Sequence, residues 1–129
     1  MASHRKAITA EDSPPAVGPY SHAVAANGFL YASGQLGLAP DGSGLVEGGV
    51  EAQARQALGN LKAVAAAGGA QLDDAVKVTV YLTDMADFAA VNAVYSEFFT
   101  SDQPPARAAV GVAQLPLGGL VEVEAVFAL

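Results

Sequence analysis

Between Val50 and Leu82 the hydrophobic period changes once, and that change does most to limit the folds open to this chain. Val50, Ala54, Leu58, Leu61 and Ala65 recur at helical spacing, while Gln53, Arg55, Gln56 and Lys62 point away from them. Glu51 suits the start of such a helix, and Gly68-Gly69 offer a left-handed stop. Val76, Val78, Val80 and Leu82 then alternate with Lys77, Thr79 and Tyr81, the two-residue period of a strand buried on one side. A helix that hands over directly to a strand requires a sheet for the helix to cover.

The flanks read the same way. A short strand is expected near Lys6 to Thr9, and the prolines in Glu11 to Pro15 impose a loop. Ser21 to Ala25 and Phe29 to Ser33 flank Asn27-Gly28, the dipeptide best suited to the positive φ angles of a tight hairpin. Thr83-Asp84 can cap a second helix with Phe88, Val91, Tyr95 and Phe98 along one stripe, ending before Pro104-Pro105. Arg107 to Val112 and Leu120 to Leu129 read as a closing hairpin, with Glu122 and Glu124 opposite Val121, Val123 and Ala125. The expected architecture is α+β, a mixed sheet of five to six strands with two helices on one face. Ala108, Val110, Val112 and Val121 are expected to leave the other face too apolar for water, so sheets of neighbouring subunits should cover it.

Composition limits the possible functions. The 129 residues fit a single domain, 1–129, and 52% hydrophobic against 15% charged residues marks a folded chain. Because 28 residues are alanine and none is tryptophan, burial per residue inside one chain is modest, which again points to self-association. The net charge is −7 and the six basic residues are scattered, so no cationic stripe is available for a phosphate backbone and no nucleic-acid partner is expected. The absence of cysteine removes disulfides, thiolate metal sites and a thiol nucleophile, and suits a reducing compartment. Residues 1–10 do not read as a signal peptide and no apolar run reaches membrane-spanning length, so a cytoplasmic protein with no membrane partner is expected.

Arg107 is the most informative single residue. It is the only basic side chain after Lys77, it follows the rigid Pro104-Pro105-Ala106, and its planar fork of donors matches a carboxylate at two points. An ion pair with Glu122 or Glu124 is the structural alternative. Those two glutamates share a strand face, where they are either solvated or, in a subunit cleft, able to take a proton from water. Tyr20 in Gly18-Pro19-Tyr20-Ser21 is a hydrogen-bonding lid or turn packing, and Gly34 in Ser33-Gly34-Gln35 either bends its strand or exposes backbone to a ligand. The glycines at 42, 44, 48 and 49 lack the rest of a phosphate loop, His4 and His22 are too few for a metal, and Ser21 and His22 point to opposite sides of a strand.

Read together, Gly18-Pro19-Tyr20-Ser21, Ala32-Ser33-Gly34-Gln35, Thr83 to Phe88, Val91-Asn92-Ala93-Val94-Tyr95, Pro104 to Arg107 and Val121 to Ala125 resemble the RidA (YjgF-like) reactive-intermediate deaminase family, in order from about Thr9 to Phe127. The resemblance implies a chorismate-mutase-like domain assembled as a homotrimeric barrel with active sites between subunits. It implies hydrolysis of 2-imino acids or their enamines, of the 2-iminobutanoate and 2-iminopropanoate type, to 2-keto acids and ammonia, without cofactor or metal. Arg107 maps onto the arginine that holds the substrate carboxylate, and Glu122 onto the glutamate that positions water. Tyr20, Ser33 and the Gly34 backbone map onto the pocket lining. Gly111 and Gln114 depart from the commoner pattern, which bears on trimer contacts, pocket shape and substrate range. Two other functions compete with this one: a non-catalytic trimer that binds or senses small carboxylic acids, and an endoribonuclease, which the acidic charge argues against.

Overall fold

The computed structural model describes residues 4–129; residues 1–3, at the head of the segment expected to carry no signal peptide, lie outside the described residues. The strands are β1 (Arg5–Ile8), β2 (Ala23–Ala26), β3 (Phe29–Leu36), β4 (Ala75–Leu82), β5 (Ala106–Gly111) and β6 (Val121–Ala128). The helices are α1 (Gly49–Ala67) and α2 (Phe88–Phe98). The sheet runs β1-β2-β3-β6-β4-β5, antiparallel throughout except for the parallel pair β4 and β5. This is the α+β architecture expected from the sequence.

Local chemistry sets the turns. Asn27 at φ 52 and Gly28 at φ 83 close the β2–β3 hairpin with both central residues left-handed, the combination whose twist matches that of the flanking strands. Helix α1 ends at Gly68, with Gly69 left-handed at φ 88. The Ala70 N–H then donates to the Ala65 carbonyl at 2.8 Å and the Gly69 N–H to Ala66 at 3.1 Å, capping carbonyls that the helix leaves open. Asp84 accepts from the Ala86 N–H at 2.9 Å, so it caps a short 3₁₀ turn, Met85–Asp87, that leads into α2.

The core lies between the sheet and the helices. Leu58, Leu61 and Val64 of α1 meet Leu30 of β3, Val78 of β4 and Phe127 of β6, all essentially inaccessible to solvent. Each fully buried side chain of this size contributes about 1.5–3 kcal/mol. Among the described residues no helix is long and apolar enough to cross a membrane.

Two expectations need correction. The last two strands do not form a hairpin: β5 lies parallel to β4 at the sheet edge, and β6 inserts between β3 and β4. Val121, Val123, Ala125 and Phe127 of β6 are buried, whereas no residue of β5 is. The strand with the stronger apolar alternation therefore takes the centre, and the segment from Val112 to Leu120 is long enough to carry the chain there. Val121 is also not on the open face; it is fully buried under the helices. Val112 has left β5, its N–H donating to the Leu82 carbonyl at 2.8 Å. The open face does expose apolar side chains, namely Phe29, Tyr31 and Val110.

Candidate functional site

Strand β3 is irregular where the candidate residues fall. Its pairing with β6 runs to Ala32 opposite Ala125 and resumes at Gln35 opposite Val123, so Ser33-Gly34 form a bulge. The bulge lets Glu122 of β6 approach the main chain: a Cβ placed on Gly34 would lie 2.9 Å from Glu122 Cδ and 3.0 Å from Oε2. The missing side chain is therefore the space that the carboxylate occupies. Ser33 donates its hydroxyl to the Ser21 carbonyl at 2.6 Å, so the Ser33 oxygen can only accept from a ligand.

Facing this bulge is a cavity of about 440 Å³, whose walls include Tyr20, Ser33, Gly34 and Glu122. Tyr20 belongs to the loop between β1 and β2, and its hydroxyl accepts from the Val17 N–H at 3.3 Å. That loop is anchored by buried His22, whose Nδ1 accepts from the Ala10 N–H at 2.8 Å while Nε2 lies 2.9 Å from the Pro14 carbonyl. An N–H can only donate and a carbonyl only accept, so the imidazole carries its single proton on Nε2. His22 is a structural clamp for the cavity wall, a role that its neighbours in sequence do not reveal.

Electrostatics distinguishes the two glutamates. Burial pushes the Glu122 carboxyl above its ordinary pKa of 4.5, and the negative charge of Glu124 pushes it further. Glu124 accepts a short hydrogen bond from the Tyr81 hydroxyl, which lifts that phenol to about 12 and keeps it a donor. A carboxylate with raised proton affinity, half-buried beside a cavity, is suited to take a proton from water.

Arg107 is elsewhere. It pairs with Val78, which pairs with Ala125, and both partners are buried on the helix side. Glu122 pairs with Tyr81, which pairs with Val110 on the open side. The two residues are thus on opposite faces of one sheet and cannot meet within a chain. Arg107 lies instead against α2, at a separate cleft that also contains Ser96, Ser101 and Pro105. Its Nη1 donates to Asn92 Oδ1 at 2.7 Å, and its Cζ lies 4.7 Å from the Tyr95 ring centroid and 5.6 Å from that of Phe88. Among the described residues it forms no ion pair with Glu122 or Glu124; the pair found is Arg55 with Glu97, at 2.8 Å on the surface.

The family profile described as Endoribonuclease L-PSP matches residues 10–129. The chain belongs to this family. Similar members include a RutC family protein of Pyrococcus horikoshii, 45% identical over 122 residues that span 95% of this chain and 96% of the other. The 2-iminobutanoate/2-iminopropanoate deaminase of Bos taurus is 48% identical over 95% of this chain and 88% of its own. The crystal structure of RidA from an Antarctic Psychrobacter superposes with a TM-score of 0.91 at 46% identity, covering 96% of this chain and 99% of that one.

Within this RidA-type chain the structure brings together four of the expected residues, Tyr20, Ser33, Gly34 and Glu122, and holds Arg107 apart. Sequence reasoning passed over the side chains that hold the guanidinium. Phe88, Asn92 and Tyr95 sit at i, i+4 and i+7 on α2, a spacing that does signal one helix face. Asn92 appeared only inside a motif, because a single asparagine carries no pattern of its own. The Tyr95 ring also stacks on Phe99 at 4.4 Å, so the surface beneath the guanidinium is rigid.

Proposed function

We propose that the protein hydrolyses 2-imino acids of the 2-iminobutanoate and 2-iminopropanoate type to 2-keto acids and ammonia, as a cytoplasmic homotrimer whose sites combine Glu122 of one subunit with Arg107 of another. The observation that carries this reading is the Glu122 carboxyl, held against the Gly34 backbone at a cavity wall with raised proton affinity. The deaminase names borne by relatives at 48% identity support the substrate class. The opposite faces taken by Arg107 and Glu122 support a composite site, since only a second copy can bring the Arg107 guanidinium to the cavity.

The chemistry needs little machinery. A protonated imine is already electrophilic at C2. Arg107, preset by Asn92 and the Tyr95 ring, would grip the substrate carboxylate at two points and fix C2 beside an ordered water. As the C–O bond forms, Glu122 accepts the water proton, leaving a neutral carbinolamine. Glu122 then returns that proton to the amino nitrogen, the C–N bond breaks, and the hydroxyl proton leaves with ammonia as ammonium. Positioned general-base catalysis of this kind supplies about 10²–10⁴-fold, enough for a substrate that also hydrolyses unaided.

The test couples threonine dehydratase to the purified protein and follows semicarbazone formation from the released imine. Wild type should suppress trapping, whereas Arg107→Ala and Glu122→Gln should not. If wild type leaves trapping unchanged, or either variant works as well as wild type, the reading fails. Calorimetry with 2-ketobutyrate distinguishes the sensing alternative: Arg107-dependent binding without turnover would identify a small-acid sensor.

A further inference from the structure

The turn before β6 contains a residue that the proposed chemistry leaves unused. Leu117, between Pro116 and Gly118, adopts φ 60 and ψ 16. Among described non-glycine residues only Asn27 shares a positive φ, and asparagine tolerates that region far better than leucine, whose Cβ crowds the following carbonyl. Within the single chain burial does not compensate, because the side chain is 64% exposed. Glycine would hold the same backbone without strain.

One hydrogen bond closes the turn from within, and two more tie the residue after it to other elements. The Gly119 N–H donates to the Pro116 carbonyl at 3.1 Å, the Leu120 N–H to Gln53 Oε1 of α1 at 2.8 Å, and the Thr83 N–H to the Leu120 carbonyl at 3.3 Å. The leucine so fixed lines the same cavity of about 440 Å³ as Glu122, as do the apolar Pro15, Val17, Leu38 and Pro116. The cavity lining therefore combines polar groups, Glu122 and Ser33 among them, with apolar side chains that include Leu117. In the single chain the cavity measures about 440 Å³, before the proposed neighbouring subunit brings Arg107 to it. An exposed apolar side chain kept in strained backbone at a cavity wall is an outlier of the kind found at ligand contacts.

We propose that Leu117 is a specificity-determining residue that packs on the substrate side chain and makes the cavity favour imino acids with larger aliphatic side chains over 2-iminopropanoate. The inference rests on the imine-hydrolysis reading of this cavity. An L-amino acid oxidase with semicarbazide present releases the imines of leucine and alanine, and suppression of each semicarbazone gives relative kcat/KM. Wild type should favour the leucine-derived imine. Leu117→Gly, which relaxes the backbone and should unfold at or above the wild-type temperature, should lower the leucine-to-alanine ratio about tenfold. Leu117→Met, which keeps an apolar side chain, should retain most of that ratio. A ratio unchanged in Leu117→Gly, or lowered equally in Leu117→Met, overturns this inference alone, because wild type would still be hydrolysing both imines. Wild type acting on neither imine overturns the reading beneath it as well.

Discussion

The proton affinity of Glu122 has a direct functional consequence. A base must be ionised to act, so kcat/KM should fall on the acid side at a pH above the usual carboxylate range. Glu124→Gln removes the second cause of the shift, and the acid limb of the pH profile should move to lower pH; a limb that stays in place would show that Glu124 does not act on Glu122. Stability should respond with the opposite sign to activity. The folded pKa lies above the unfolded one, so the ionised carboxyl costs stability above the folded pKa and costs none below the unfolded value. Glu122→Gln should therefore raise the thermal midpoint at pH 7 while reducing turnover, and the stability gain should disappear as pH falls below the carboxylate range.

At the level of elements, two local devices position the chemistry. The β3 bulge brings the Gly34 backbone to the Glu122 carboxyl, and Gly34→Ala would put a methyl 2.9 Å from Glu122 Cδ. The carboxylate end is flexible enough to move aside, so the fold should survive. Activity should fall by about 10²-fold, the scale of an ångström-sized misplacement. Unchanged kcat/KM in Gly34→Ala would show that the carboxyl position is irrelevant. Helix α2 is the second device. Its Asn92 holds a hydrogen bond to a charged group, and Asn92→Ala should raise KM about tenfold or more with a smaller effect on kcat. An equal loss in a substrate lacking the carboxylate would assign Asn92 a merely structural role.

For the whole molecule, the placement of Arg107 and Glu122 on opposite sheet faces makes the proposed site a property of the assembly. Two inactive variants should then complement each other. Arg107→Ala and Glu122→Gln, unfolded together and refolded as mixed trimers, should recover activity from about a quarter of the sites, those that receive both native residues. Recovery of none, or a sedimentation mass of one chain in the active fraction, would refute the composite site. The exposed Phe29, Tyr31 and Val110 on the open face provide apolar area for such contacts.

Local sequence determined the elements. The helical spacing from Val50 to Ala65, the alternation from Val76 to Leu82, the Asn27-Gly28 turn and the stop at Gly68-Gly69 all act over a few residues, and each appears where its pattern placed it, except that Gln53, expected on the outer face of the helix, is buried and accepts from the Leu120 N–H. Tyr20, Ser33, Gly34 and Glu122 were legible only through the family motifs, because local pattern left Tyr20 between lid and packing, Gly34 between bend and exposed backbone, and the glutamates between solvent and cleft. Only the tertiary structure decided that β6 takes the centre of the sheet instead of pairing with β5, since strand order depends on competition for burial among segments distant in sequence. The same competition turned Val121 inward, set His22 as a clamp, gave Arg107 to Asn92 and Tyr95, and forced Leu117 into a left-handed turn. The partners of His22 lie 8 and 12 residues back in its own loop, and the other partners are supplied by different elements or by the packed frame, so no local pattern encodes them.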